Sequence, residues 1–147
     1  MASRRFAGAA VAESGPASVL DASALMAVLH SEDGASVVIE AIGEGAAVSV
    51  VNWAEVLSKL AEAGKDPKVA TAELRRAEGS RRALSIEPLT AADCLALARL
   101  RPLTRRQGLS LADRACLALA ERLDAPALTA DRKWLEADVV AEVQLIR

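Results

Sequence analysis

Short apolar segments alternate with helix-length segments from residue 18 to the end of the chain. The apolar segments are rich in valine, leucine and isoleucine and are too short for helices, so they are predicted to be strands. Because parallel strands need a connection about as long as a helix, the alternation predicts an α/β domain in which helices flank a parallel sheet. The predicted strands are residues 18–20, 47–51, 84–87, 126–129 and 143–146.

The helices are predicted from apolar residues at helical spacing and from the residues that begin and end helices. Asn52 and Ser110 each stand where a side-chain oxygen would cap a first turn. Gly64 and Pro102 each stand where a helix is expected to stop. The predicted helices are residues 22–30, 34–42, 52–63, 67–78, 91–100 and 111–123, with a helical turn near 133–137.

Length and composition indicate one globular domain. The 147 residues suit a single core, and a 52% share of hydrophobic residues excludes a disordered chain. The formal net charge of -2 does not indicate a nucleic-acid-binding protein, so any contact with a polyanion must come from local basic clusters. Residues 1–17 are predicted to be a disordered N-terminal extension, and residues 18–147 the folded domain.

The chain has no apolar run long enough to cross a membrane, and no membrane partner is predicted. Cys94 and Cys116 fall within predicted helices, and neither belongs to a paired metal-ligand motif. Both are interpreted as buried, reduced thiols. Because reduced thiols are typical of the reducing cytoplasm, a cytoplasmic protein is expected.

Acidic residues stand beside the ends of predicted strands or the starts of predicted helices. They are Asp21, Glu55, Asp113 and Asp131. In a parallel sheet such positions meet at one edge, where carboxylates repel one another unless a cation lies among them. Carboxylate oxygens suit Mg²⁺ or Mn²⁺, and such an ion can activate water to hydrolyse a phosphate ester. The four acids are therefore candidate catalytic and metal-binding residues, with Ser23 and Asn52 in supporting positions.

The same acids also have a structural interpretation as residues that begin helices. Glu55 follows Asn52 at the spacing of a capping box. Asp113 follows Ser110 at the same spacing. The first and fourth acids each precede a predicted helical segment and could cap it. Both interpretations can hold together, because a helix start can position an acid that binds a metal.

Four motifs in order resemble those of the PIN domain family, and more narrowly those of the VapC-type toxins of bacterial toxin–antitoxin pairs. The resemblance implies a five-stranded parallel sheet flanked by helices and a ribonuclease that depends on Mg²⁺ or Mn²⁺. The family's metal-binding acids correspond to the four candidate acids above, and its small hydroxyl residue corresponds to Ser23. The motifs are V-L-D-A-S-A-L, N-W-A-E-V-L, G-L-S-L-A-D-R-A and L-T-A-D-R-K-W.

The resemblance also implies partners. They are an RNA substrate, such as a transfer or ribosomal RNA, a VapB-like antitoxin and a second copy of the chain in a homodimer. The antitoxin's C-terminal segment would lie in a groove beside the site and block it. An alternative stays open, in which the chain is a catalytically inactive PIN-like module that binds RNA or a partner.

An RNA substrate needs positive charge near the acids to bind its phosphates. Arg105, Arg106 and Lys133 neighbour the acidic segments and are the candidate RNA-binding residues. The chain has two tryptophans, one phenylalanine and no tyrosine, so few side chains are available for base stacking. Recognition is therefore expected to depend on phosphate contacts and RNA shape.

Overall fold

The structure, a computed structural model, describes residues 15–78 and 83–147. Its centre is a five-stranded sheet in which every neighbouring pair of strands is parallel. The order across the sheet is β3-β2-β1-β4-β5, which confirms the predicted α/β fold. The strands are β1 Ser18–Leu20, β2 Ala46–Ser49, β3 Leu84–Glu87, β4 Ala127–Thr129 and β5 Val143–Leu145.

Helices connect the strands and cover both faces of the sheet. Within the described residues there are six α-helices and one short 3₁₀ helix, the latter at Arg132–Glu136. The α-helices are α1 Ala22–Leu29, α2 Ala35–Glu44, α3 Val50–Glu62, α4 Pro67–Ala77, α5 Ala91–Thr104 and α6 Leu111–Leu123.

Alternating strand residues supply two apolar cores, one on each face of the sheet. Leu20 and Val48 pack with side chains of α1, α2, α3 and α4. Val19 and Ala47, the preceding residues, pack with side chains of α5 and α6. Both strands are therefore buried on both faces, which explains their continuous apolar sequence.

The start of α3 differs from the prediction. Val50 and Val51 were predicted as the end of a strand, but they form the first turn of α3. Ser49 has extended backbone angles and caps the helix, and its hydroxyl accepts a hydrogen bond from the Val51 N–H at 3.2 Å. A local cap thus outweighs the strand preference of the β-branched valines. The prediction that Asn52 caps this helix is wrong.

The end of α5 also differs from the prediction. The helix continues through Pro102 to Thr104, although the proline was predicted to end it. Only two helical residues follow Pro102, so little of the helix lies beyond the hydrogen bond that its missing N–H removes. The buried Thr104 hydroxyl donates to the Leu100 carbonyl at 2.8 Å, which helps to close the last turn.

Two further features bear on the predictions made from composition. Cys116 is buried as predicted, but Cys94 is exposed, because it lies on the outer side of α5. In residues 15–78 and 83–147, no helix has both the length and the apolar character that crossing a membrane requires. The predicted extension falls mostly on residues 1–14, which lie outside the described residues.

Candidate active site

The middle of the sheet brings distant parts of the sequence together. The chain builds outward from β1 to β2 and β3, then returns to place β4 on the other side of β1. The crevice between the carboxyl ends of β1 and β4 is thus the point at which the strand order reverses, where open α/β sheets bind ligands. Asp21 follows β1 directly, and Asp131 follows β4 after one intervening residue.

Asp21 caps α1 and is almost fully buried, with 3% of its surface exposed. Its Oδ1 accepts hydrogen bonds from the Ala24 backbone N–H at 2.8 Å and from the Ser23 hydroxyl at 2.7 Å. Its Oδ2 accepts one from the Thr129 hydroxyl at 2.5 Å. The carboxylate is therefore both a helix cap and the centre of a polar network at the sheet edge.

Burial raises the pKa of Asp21 to about 6, because the ionised form has lost its water. The hydrogen bonds from Thr129, Ser23 and Ala24 oppose this shift, and the negative charge of Asp113 adds to it. A carboxylate whose ionisation is costly in this way would be stabilised by a nearby cation.

Thr129 is a site residue that the sequence interpretation missed. It is fully buried at the end of β4, and its hydroxyl accepts a hydrogen bond from the Asp131 N–H at 3.1 Å while donating to Asp21. Ser23 links the start of α1 to the segment after β4, because its hydroxyl accepts from the Ala130 N–H at 2.9 Å. The signal in the sequence was the threonine two residues before Asp131. The role of this threonine depends on the pairing of β4 with β1, which brings it beside Asp21.

Asp113 begins α6 in the predicted capping box. Its Oδ2 accepts from the Ser110 N–H at 2.8 Å, and its own N–H donates to the Ser110 hydroxyl at 3.1 Å. Asp113 also acts on the buried Cys116, whose pKa is raised well above its usual value by burial and then by the charges of Asp21 and Asp113. The predicted capping box at Asp113 is confirmed. The negative charge of Asp113 also helps to raise the pKa of both Asp21 and Cys116.

Glu55 and Asp131 are held differently. Glu55 lies in the second turn of α3 and takes no part in a capping box, since the helix begins at Val50. Its carboxylate lies 3.5 Å from the Lys59 ammonium, so this acid has a cationic neighbour that the sequence interpretation did not expect. Asp131 caps the 3₁₀ helix and accepts from the Lys133 N–H at 3.0 Å.

The acids do not form a closed metal cage. In the part of the chain that the structure describes, no three histidine, cysteine, aspartate or glutamate side chains are grouped so that they could hold one ion. The pair of acids linked by charge is Asp21 and Asp113. Mg²⁺ is commonly bound through one or two carboxylates and keeps several of its waters, so the donor chemistry of these acids suits such an ion. The four-acid ligand set stays a prediction.

Asn52 lies on α3, fully buried beside the start of α6. Its Nδ2 donates to the Ala112 carbonyl at 3.1 Å, and Ala112 immediately precedes Asp113. Its Oδ1 is buried and has no hydrogen-bond partner. Asn52, the predicted supporting residue, therefore joins α3 to α6 and contacts the residue next to Asp113.

Basic side chains lie on two surface segments near Asp131. Arg105 and Arg106 are exposed in the turn after α5, and Lys133 is exposed on the 3₁₀ helix. The Gln107 amide donates to the Glu136 carbonyl at 3.1 Å, which joins the two segments. Among the described residues, none of these three cations forms an ion pair. Their positive charges are therefore available to bind an anion such as a phosphate group.

A family model for the PIN domain matches residues 18–140, most of the chain. The chain belongs to the PIN domain family. The predicted resemblance is thereby confirmed. No curated protein sequence matches the chain.

Solved structures with the same fold as this PIN domain include toxin–antitoxin complexes. VapBC2 from Rickettsia felis, bound to a DNA fragment from its promoter, has a TM-score of 0.68 and 16% identity, over 87% of this chain and 97% of that chain. A toxin–antitoxin complex from Klebsiella pneumoniae has a TM-score of 0.66 and 17% identity, over 88% and 98%. VapBC-5 from Mycobacterium tuberculosis has a TM-score of 0.56 and 26% identity, over 90% and 99%. The resemblance to VapC-type toxins is thus matched at the level of fold.

Proposed function

We propose that this PIN domain is a metal-dependent endoribonuclease and the toxin of a toxin–antitoxin pair. One observation carries the proposal: the Asp21 carboxylate is buried at the switch point of a PIN fold, where three neighbouring groups donate hydrogen bonds to it and the charge of Asp113 adds to the cost of ionising it. Carboxylates at the carboxyl edge of a sheet are suited to a hard divalent cation and to phosphate-ester hydrolysis. The similarity of the fold to toxin–antitoxin structures supports the biological role.

In this proposal the acids hold Mg²⁺ or Mn²⁺. Asp21 and Asp113 are the proposed direct ligands, and Glu55 and Asp131, which are not grouped with them among the described residues, would act through waters held by the ion. When bound, the ion would lower the pKa of an attacking water and stabilise the leaving oxygen of a phosphodiester. Ser23 and Thr129 hold Asp21 in place through its two oxygens.

The substrate in this proposal is RNA, bound through its phosphates. Arg105, Arg106 and Lys133 are exposed cations on joined segments near Asp131, so they can steer a phosphodiester backbone toward the acids. Trp134 is 1% exposed and belongs to the core, so it offers no face on which a base could stack. Structured RNA, including transfer or ribosomal RNA, is therefore the substrate class to test first.

The proposed partner is a VapB-like antitoxin. An apolar groove of about 370 Å³ lies between α1, α2 and α4, with Val28, Ile39, Ile42 and Leu74 in its lining. More than half of the Ile39 surface is exposed there, so the groove offers apolar surface to a partner. An apolar segment of the antitoxin would cover this groove. Because Val28, Ile42 and Leu74 lie near the C-terminal ends of their helices and Asp21 lies at the start of α1, this is not the predicted groove beside the site, and contact here alone would not block the acids. The chain is also proposed to form a homodimer.

Incubation of the purified full chain with transfer and ribosomal RNAs in Mn²⁺ tests the activity. Cleavage is expected with the wild-type chain and should be lost with Asp113→Asn and in excess chelator. Expression without an antitoxin should arrest growth, and the same variant should relieve the arrest. Undiminished cleavage in chelator would rule out the metal mechanism.

The alternative function is an inactive binding module of the same fold. It is favoured by the observation that Asp21, Asp113 and Asp131 each accept a backbone N–H at a helix start. On this view the acids are caps only, and each should stabilise the metal-free protein. If Mn²⁺ leaves the melting temperature unchanged while RNA still binds, the module is the better description.

A further inference from the structure

We propose that Asn52 is a positioning residue, which fixes the start of α6 and with it the Asp113 carboxylate relative to the other acids. The inference rests on the proposed function, because it assigns Asn52 a role in building the same cation site. It concerns a residue that would not itself bind the ion.

The contact that carries the inference is a hydrogen bond between helices. Nδ2 of Asn52 donates to the Ala112 carbonyl, across 60 positions of sequence, at 3.1 Å. Ala112 lies in the first turn of α6, next to Asp113, and Glu55 lies three positions after Asn52 on α3. Side chains three apart on a helix are neighbours, so one amide relates the segments that carry two of the candidate acids.

Stability alone gives no reason for an asparagine at this position. The side chain is 0% exposed, and its Oδ1 is a buried acceptor without a partner. An unpaired buried acceptor costs at least as much as a single hydrogen bond returns, whereas an apolar side chain of similar volume would fill the space without that cost. The presence of a buried amide that does not improve stability is explained if the amide holds the Asp113 carboxylate in position.

The capping box leaves this role to Asn52. Ser110 fixes Asp113 relative to its own helix, through two hydrogen bonds within α6. Nothing in that box relates α6 to α3. The Asn52 amide supplies this second constraint, since it bonds to the backbone of α6 from α3.

Mn²⁺ affinity of the full chain, measured from the electron paramagnetic resonance of the free ion, tests the inference. Asn52→Leu fills the space without a donor, and Asn52→Ser removes the reach without adding bulk. Each variant should fold and bind Mn²⁺ at least about tenfold more weakly than the wild type, the usual effect of losing a residue that orients a ligand. Ser58→Ala, which removes an exposed hydroxyl on the same helix, is the matched control and should bind like the wild type.

A double-mutant cycle separates positioning from direct binding or general stability. If Asn52 acts through Asp113, Asn52→Leu should weaken Mn²⁺ binding little further in an Asp113→Asn background. Additive losses would overturn the inference, as would wild-type affinity in both single variants. Absence of Mn²⁺ binding by the wild type would instead refute the proposed metal function itself, so the two failures are distinguishable.

Discussion

At the scale of single residues, the buried Asp21 carboxylate dominates the site. Its neighbours donate hydrogen bonds to both oxygens, yet burial still raises its pKa to about 6. The folded protein therefore binds a proton between about pH 4 and pH 6 that the unfolded chain has released. The metal-free fold is most stable when Asp21 is neutral, and this contribution is lost as the pH rises through 6.

Replacing Asp21 with asparagine should remove that pH dependence. The raised pKa corresponds to about 3 kcal/mol of stability lost once the carboxylate is ionised. In chelator, Asp21→Asn should therefore gain stability over the wild type as the pH rises from 4.5 to about 7.5. Urea unfolding at both pH values measures the gain. A difference between the two proteins that does not change with pH would contradict the raised pKa.

Thr129 should matter most where Asp21 is ionised. Thr129→Val removes a hydrogen bond to a buried carboxylate, a loss of about 1.5–3 kcal/mol when the acceptor is charged. The loss should be larger at pH 8 than at pH 5, because the hydroxyl lowers the pKa of Asp21. Thr129→Ser keeps the hydroxyl and is the control. Equal losses at both pH values would show that Thr129 only packs.

The acids themselves could be found from the sequence, but their contacts could not. Asp21 and Asp113 follow recognisable strand and helix signals, so their places after β1 and in the capping box of α6 were predictable. Thr129 contacts Asp21 because β1 pairs with β4. The local sequence pattern does not reveal which strands pair. The burial of Asn52 likewise depends on how α3 meets α6.

At the scale of elements, the capping box that begins α6 both stabilises the helix and holds Asp113, a candidate site residue. A second capping box begins α5, where Thr90 and Asp93 bond reciprocally. Ser110→Ala and Thr90→Ala should each destabilise the protein by about 0.5–2 kcal/mol, because each removes a cap. If Mn²⁺ binds as proposed and raises the melting temperature, only Ser110→Ala should reduce that rise, since only that hydroxyl accepts a hydrogen bond from Asp113. An equal reduction in both variants would mean that cap strength, not position, controls metal binding.

The predicted elements were correct in kind and wrong at particular ends. Val50 and Val51 have strand preference, but the Ser49 hydroxyl begins a helix there. Pro102 is a helix breaker in isolation, but the last turn of α5 is held by the buried Thr104. In both places a single hydroxyl contact outweighed the average preference of the neighbouring residue type.

At the scale of the whole molecule, the last residues are fastened to the loop between α1 and α2. Gly34 has a φ of 90°, and a Cβ placed there would lie 2.6 Å from the Ile146 carbonyl oxygen. Arg147 adds an ion pair to Glu32 at 3.0 Å. The edge strand β5 leads directly into this contact, so it links the edge of the sheet to the first helices.

Gly34→Ala should therefore destabilise the whole domain. Gly45 also has a positive φ, of 100°, but a Cβ there would meet nothing within 4 Å. Gly45→Ala is thus a control for backbone strain, and Gly34→Ala should cost about 1–3 kcal/mol more because of the added overlap. Urea unfolding of both variants measures the difference. Equal destabilisation would mean that the backbone at Ile146 shifts away from the added Cβ without a cost in stability.

The pairing of β1 with β4 has a consequence for synthesis on the ribosome. The Thr129 hydroxyl and the Asp21 carboxylate it holds are 108 positions apart in the chain. A nascent chain that has not yet reached β4 lacks both this hydroxyl and Asp131, although Asp21 and Glu55 emerged long before. The polypeptide thus cannot complete the polar network around Asp21 until nearly all of it has been translated.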